Sequence, residues 1–316
     1  MSIKHSLVVP CFNEEGNVET FLGAVKEAMK GYTDSYEIVF VNDGSRDNTI
    51  RVLKRLFAEN PDVRIQVISF SRNFGKESAM YAGLQAAKGD YVTVIDADMQ
   101  QDPSVAVQMG RLLDDNPETD MIAAFQAKRK ESKLLEWCKT CFYKLINKMT
   151  TVRFIPDASD FRTLRRPVVD AILSLSEYHR FSKGLFSWVG YETMSIPYEV
   201  HDRQAGETNW NFIKLFRYAI EGIMAYTDSP LKWPLYAGAF LSVGGIALAI
   251  VLWILSLCGV WVSVIGYLIA LMLLLTGILA VGQGIIGMYL GKVHTQVKQR
   301  PIYLVKEKLS YEELDH

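Results

Sequence analysis

Two carboxylates one residue apart, Asp96 and Asp98, close an apolar run, Tyr91-Val-Thr-Val-Ile95. A short apolar run of this kind reads as a buried strand, so the pair falls at the rim of a sheet. Two hard oxygen ligands there suit a divalent cation holding a diphosphate. Strand ends are also where open α/β sheets bind their ligands. For this stretch alone, a solvated Asp-rich turn before Pro103 is the alternative reading. Two other strand ends carry comparable groups: Pro10-Cys-Phe12-Asn13-Glu14-Glu15 and Asn42-Asp43-Gly44-Ser45. A carboxylate from Glu14 or Asp43 can accept hydrogen bonds from a base or a ribose.

The elements that must position these groups alternate over the first 125 residues. Ser6–Pro10 reads as a strand, and Asn17 as the cap of a helix with Val18, Phe21, Leu22, Val25 and Met29 on one face, stopped by Gly31. Tyr36–Val41 is a second strand, followed by a helix to about Glu59 and a strand Val63–Phe70. Lys76–Ala87 reads as helix, Tyr91–Ile95 as strand, Pro103–Asp114 as helix and Met121–Phe125 as strand. Such alternation predicts an α/β fold, a mostly parallel sheet with helices on both faces. In a doubly wound sheet the three polar clusters meet at one edge.

In order and spacing, Val8-Val-Pro10-x-x-Asn13-Glu14, Asn42-Asp-Gly-Ser45 and Asp96-x-Asp98-x-Gln100 resemble the nucleotide-sugar domain of family 2 glycosyltransferases, the GT-A fold. Ser71-Arg-Asn-Phe-Gly75-Lys76-Glu77, Asp160-Phe-Arg162, Phe181-x-Lys-Gly184-Leu-x-Ser-Trp188-Val-Gly190 and Arg203-x-x-Gly206-Glu-Thr208 are similar to the polyprenyl-phosphate glycosyltransferases. That group includes dolichol-phosphate mannose synthase and the bactoprenol glucosyltransferases. Gly287-x-Tyr289-x-Gly291-Lys292 and Lys298-x-Arg300-Pro301 extend the likeness over nearly the whole chain. Two departures stand out. Asn209-Trp210 follow Thr208 where the family often has Lys, and the acidic motif runs on one residue longer through Gln101-Asp102. The extra residue counts against Gln101 and Asp102 as ligands, not against Asp96 or Asp98.

The resemblance implies an inverting transfer of a hexose from a UDP-sugar to polyprenyl phosphate. UDP-glucose is the first expectation and UDP-N-acetylglucosamine the second. The uridine would lie against Pro10, Phe12, Glu14 and Asp43. Mg²⁺ or Mn²⁺ would sit on Asp98, with Asp96 and Gln100 assisting. Backbone N–H groups at the helix start Gly75-Lys76 would meet a phosphate. Arg129, Arg162 and Arg203 are the candidate phosphate clamps, because guanidinium forks match phosphate oxygens. Asp160 would orient an arginine or act as a base; its plainer role is pairing with Arg162. Asp96, Asp98, Asp160 and Arg203 are thus the expected catalytic set. A processive polysaccharide synthase is the same-fold rival, but its Gln-x-x-Arg-Trp motif is missing here. A non-catalytic membrane-anchored nucleotide-binding scaffold is the other.

Between Lys232 and Lys292 lie 59 residues without Asp, Glu, Lys, Arg or His, divided near Cys258-Gly-Val-Trp261. A bilayer-spanning helix needs about 20 apolar residues, so this stretch predicts a two-helix transmembrane hairpin. The expected domains are 1–210 for the transferase, 211–232 for a juxtamembrane amphipathic helix, 233–291 for the hairpin and 292–316 for a polar, loosely held tail. Lys214, Arg217 and Lys232 precede the hairpin, and Lys292, Lys298 and Arg300 follow it. By the positive-inside rule this predicts an inner- or plasma-membrane protein with catalytic domain and both termini cytoplasmic. Ser132–Met149 and Asn211–Tyr226 read as amphipathic helices, either packed on the sheet or lying on an anionic membrane surface. The apolar run after Lys4 is too short for a signal peptide. A formal net charge of −1 gives no support to a nucleic-acid partner, and a homo-oligomer is left open. Cys138-x-x-Cys141 has no second ligand pair and reads as ordinary thiols.

Overall fold

The computed structural model describes residues 3–126, 158–175, 177, 178, 180, 182–199, 254, 257 and 264–313. The chain divides into two compact units, one of Met1–Phe212 with Pro301–His316 and one of Ile213–Arg300.

The first unit is built on β1 (His5–Cys11), β2 (Tyr36–Asn42), β3 (Arg64–Phe70), β4 (Tyr91–Val94), β5 (Met121–Gln126), β6 (Ala158–Arg165), β7 (Thr193–Tyr198) and β8 (Val305–Ser310). Its helices are α1 (Val18–Met29), α2 (Thr49–Glu59), α3 (Lys76–Ala86), α4 (Pro103–Asp115), α5 (Arg166–Ser174) and α6 (Ser182–Trp188). The strand order is β7-β5-β6-β4-β1-β2-β3-β8. The pairs β1–β2, β2–β3, β1–β4 and β5–β7 are parallel. β3–β8, β4–β6 and β5–β6 are antiparallel. The sheet is therefore mostly parallel, as the alternation predicts.

Period-two alternation sorts the apolar residues of the central strands onto two faces. Leu7 and Val9 of β1, with Ile38 and Phe40 of β2, pack with Phe21, Leu53 and Met109 on one face. Val8, Val39 and Val41 point the other way, onto Ala79, Met80, Val168 and Phe186. A sheet covered by helices on both faces needs apolar residues at every central position. Chain order reverses between β1 and β4, since β2 and β3 lie to one side of β1 and β4 to the other. That switch point is where the loops after β1 and β4 separate and leave a crevice.

Two elements differ from expectation. Asn17 makes no side-chain cap on α1; its amide donates instead to Glu14 Oε2 at 2.6 Å. The segment after Pro301, expected as a loose tail, adds the edge strand β8. Tyr303 stacks on Phe70 with ring centroids 4.8 Å apart and donates to Gln85 at 2.8 Å. Tyr311 donates to the buried Glu37 at 3.2 Å. The alternation of Val305-Lys-Glu-Lys-Leu309 is an edge-strand pattern, with lysines that discourage further pairing.

The second unit contains α7 (Val264–Val297). Here the expected inner- or plasma-membrane, multi-pass placement is overturned: among the described residues, no helix is long and apolar enough to cross a membrane. The expectation rests on the length of the charge-free run and on its basic flanks. α7 runs for 34 residues, and its last turns carry Lys292, His294, Thr295 and Gln296. Most of the first expected span, and the helices expected at Ser132–Met149 and Asn211–Tyr226, lie outside the described residues.

Gly44 has φ +63°, and a Cβ there would sit 2.3 Å from Arg72 C and 2.5 Å from Asn73 N, both backbone atoms. Gly44→Ala is expected to cost about 2–4 kcal/mol, combining a positive-φ penalty with overpacking against backbone that cannot yield. Gly16→Ala, with nothing within 4 Å, is the control. Denaturant titration of both checks this, and equal midpoints would refute the close approach.

Candidate active site

The loops after β1, β2, β3 and β4 converge at the carboxyl edge of the sheet. Asp43, 3% exposed, ties two of them together. Its Oδ1 accepts from Phe74 N at 2.6 Å and its Oδ2 from Gly75 N at 2.9 Å. Burial pushes the Asp43 carboxyl up, and the two N–H donors pull back against it. The amides at the start of α3, expected to meet a phosphate, are thus partly engaged by Asp43. Gly75 itself has φ +97°, the left-handed region that glycine enters at low cost.

The β1 loop docks on the β2 loop in the same way. Asn13 N donates to Ser45 Oγ at 3.0 Å, and Arg46 N donates to Asn13 Oδ1 at 2.9 Å. Glu14 N donates to Thr49 Oγ1 at 2.9 Å. Pro10 sits at the end of β1, and Phe12 is 42% exposed beside it. Asn13 has φ 58° and Met99 φ 61°. Non-glycine residues there cost roughly 1–3 kcal/mol each and gather at functional sites. Both of these lie in the loops that carry the candidate residues.

Asp98 is 7% exposed, and Gln100 N donates to its Oδ1 at 3.1 Å in a tight local turn. Gln101 holds Asp96 from both sides, accepting from Asp96 N at 3.0 Å and donating to Asp96 Oδ2 at 3.3 Å. Lys76 Nζ lies 2.7 Å from Asp96 Oδ1 and 3.4 Å from Asp160 Oδ2. Burial would lower the Lys76 ammonium, but Asp96 and then Asp160 outweigh that and hold it above its ordinary value. The Lys76 side chain is 43% exposed, so water screens part of the attraction.

The structure therefore brings Asp43, Asp96, Asp98, Asp160, Gly75, Lys76 and Gln100 to one edge, with Pro10, Phe12 and Glu14 on the adjoining loop. It places Arg162 elsewhere. That side chain is 4% exposed, its guanidinium over the Phe186 ring at 4.0 Å and Nη1 3.6 Å from Met121 Sδ. Burial lowers it to about 10. It packs between β6 and α6, and Asp160 acts both on it and on Lys76. Arg129 and Arg203 lie outside the described residues.

Sequence reasoning missed Gln101 and Glu77. Glu77 Oε1 and Oε2 accept from Ser182 N, each at 3.1 Å, and the Ser182 hydroxyl also donates to Oε2. This joins α3 to α6. The motif containing Glu77 was visible, but its partner lies 105 residues away.

Among the described residues no cluster of three or more His, Cys, Asp or Glu side chains could enclose a metal ion. The donor set still fits Mg²⁺ or Mn²⁺, since such ions take one or two carboxylates and complete their shell with water and substrate phosphates. Asp98 and Asp96 would be those carboxylates.

Burial raises the Glu77 carboxyl to about 7, with the Ser182 hydrogen bond opposing. The folded protein then binds a proton that the unfolded chain has released above about pH 4.5. Stability should fall as pH rises from about 5 to 7, and the penalty is complete above that range. Melting temperatures across this window should show the slope in the wild type and lose it in Glu77→Gln. Parallel curves would refute the assignment.

Comparison with known proteins agrees with this architecture. Residues 6–173 match the model of glycosyl transferase family 2. An uncharacterized glycosyltransferase of Synechocystis sp. is 38% identical over 310 residues, covering 97% of this chain and 96% of that one. The SfII prophage-derived bactoprenol glucosyl transferase of Shigella flexneri is 37% identical over 314 residues, covering 96% and 98%. A mannosyltransferase from Pyrobaculum calidifontis, solved with GDP-Man and Mn²⁺, superposes with TM-score 0.51 at 16% identity over 95% of this chain and 84% of its own. At that identity the likeness is one of fold. The chain is a glycosyltransferase and belongs to glycosyl transferase family 2.

Proposed function

We propose that the chain transfers a hexose, with inversion, from a UDP-sugar to polyprenyl phosphate, with UDP-glucose the first donor and UDP-N-acetylglucosamine the second. The observation that carries the reading is the pair Asp96 and Asp98 at the β1/β4 switch point, beside the buried Asp43. Relatedness over nearly the full length to a protein named bactoprenol glucosyl transferase supports the lipid acceptor. In this reading residues 1–210 form the transferase domain.

Uridine lies against Pro10, Phe12 and Glu14, with Asp43 fixing the loop behind it. Asp98, assisted by Asp96 and Gln100, holds Mg²⁺ or Mn²⁺. When bound, the ion neutralises the charge that develops on the leaving diphosphate. Lys76 shares that role, because its ammonium already sits on Asp96 and turns toward whatever anion replaces it. The nucleophile is a phosphate oxygen, and a phosphate monoester has its second pKa near 6. At neutral pH it is largely dianionic, so no strong base is required. Asp160 then acts by placing Lys76 rather than by taking a proton. What the site supplies is orientation of two anionic partners, and Arg203 is proposed as one cation on the acceptor.

Asp98→Asn preserves shape and removes the charge a hard cation needs. It should abolish transfer while circular dichroism and melting temperature stay unchanged. Turnover near wild type, or full wild-type activity in excess EDTA, would refute the metal role. Arg203→Ala should slow transfer to polyprenyl phosphate by roughly ten- to a hundred-fold, the worth of one charged hydrogen bond, with UDP affinity retained. Equal losses in both would place Arg203 on the donor.

A further inference from the structure

The segment 72–77 has a second side. Lys76 reaches the carboxylates Asp96 and Asp160. Its neighbours line a cavity of about 330 Å³ that includes Arg72, Phe74, Glu77, Tyr178, Arg180 and Ile302. Ligand pockets run from roughly 300 to 1,000 Å³. This one is at the small end, too small for a whole nucleotide sugar but large enough for a phosphate and the first unit of an apolar chain.

Its chemistry is divided to match. Two guanidinium groups line it. Arg72 lies over the Phe74 ring at 4.0 Å and Arg180 over the Tyr81 ring at 4.3 Å. Arg180 is also anchored by donating to Leu175 O at 2.8 Å and Ile172 O at 3.2 Å. A guanidinium pinned this way has lost its rotamer entropy before a ligand arrives, which favours fork-like binding of phosphate oxygens. The one carboxylate in the lining, Glu77, is turned toward Ser182 and accepts its N–H and O–H. Burial also raises Glu77 to about 7, which reduces its charge near neutrality. Phe74, Tyr178 and Ile302 supply the smaller, apolar share of a lining that is otherwise polar. Ile302 comes from the segment that leads into β8, so the same residues that close the sheet edge also wall the cavity.

We propose that this cavity is a subsite for a phosphate monoester bearing an apolar chain, and that it receives the acceptor's phosphate before transfer. The assignment to the acceptor rests on the function proposed above; the anion site itself does not. Arg72 and Arg180 hold the phosphate, the aromatic and aliphatic wall takes the start of the chain, and Lys76 stands between this phosphate and the carboxylates of the donor site.

The test is calorimetric titration of the full chain with farnesyl phosphate, inorganic phosphate, farnesol and UDP, for wild type, Arg72→Gln and Arg180→Gln. Farnesyl phosphate should bind the wild type, and each variant should weaken it by about tenfold or more, the worth of one charged hydrogen bond. UDP affinity should stay within about twofold, far less than loss of one such bond would cause. Farnesol should not bind. Arg180 also braces backbone carbonyls, so if Arg180→Gln melts early, the exposed Arg72→Gln decides. Unchanged farnesyl phosphate affinity in Arg72→Gln, or a parallel loss of UDP affinity, overturns the subsite. Inorganic phosphate binding as tightly as farnesyl phosphate overturns the acceptor assignment. Farnesyl phosphate bound through Arg72 by a wild type that transfers no sugar to lipid phosphate would refute the proposed function while leaving the subsite standing.

Discussion

Four carboxylates, Asp43, Asp96, Asp98 and Asp160, collect at one sheet edge and repel one another, and two of them share a compensating cation. Lys76 is that cation, standing 2.7 Å from Asp96 and 3.4 Å from Asp160. The position is set by chain geometry. Gly75 turns the backbone at φ +97°, Asp43 grips the amides just before the helix, and α3 then projects its first side chain across the switch point. Attraction between unit charges at such distances is about 5–6 kcal/mol at an effective dielectric near 20, and solvent access lowers it further. That is strong enough to hold the carboxylates in place and weak enough to be exchanged for a metal ion and a diphosphate. A site held by a fully buried ion pair would resist that exchange.

The parts legible in sequence are those whose signal is local. Alternating apolar runs gave the strands, and Asp96 and Asp98 fell at the end of one because a strand that ends in charge must end at a rim. The antiparallel strands β6 and β8 were not legible. β6 follows residues 127–157 after β5, and β8 is a polar edge strand whose pattern resembles a tail until its partner β3 is known. Arg162 shows the same limit. Its neighbours Asp160 and Phe161 look like a site motif, but Arg162, on the same strand face as Asp160, is buried against Phe186 of α6, a contact across 24 positions. Gln101 was set aside as an extra residue, yet it fixes Asp96 through two hydrogen bonds.

The charge-free run 233–291 is a different case, because most of its first half lies outside the described residues. Missing charge is a property of composition, whereas spanning a bilayer requires a continuous apolar helix with its backbone satisfied internally. Among the described residues no helix is long and apolar enough to cross a membrane. Several α7 side chains, Ile265, Met272 and Leu279 among them, are nonetheless well exposed. Exposed apolar residues spaced along a helix say that some surface covers them, not which one.

How a soluble donor and an apolar acceptor could share one site then becomes a question of which side of the 72–77 segment each uses. The donor side presents Asp96, Asp98 and Lys76, suited to a metal-bound diphosphate. The other side presents Arg72 and Arg180 over aromatic rings, suited to a phosphate with hydrocarbon attached. One strained turn, fixed by Asp43 and by the contact that only Gly44 permits, therefore sets both surfaces at once. Moving that turn by an ångström would displace the two anion sites together, and misplacement on that scale can cost about a hundredfold in rate. In the proposed reading, the buried carboxylate that clamps this loop sets the precision for two substrates at once.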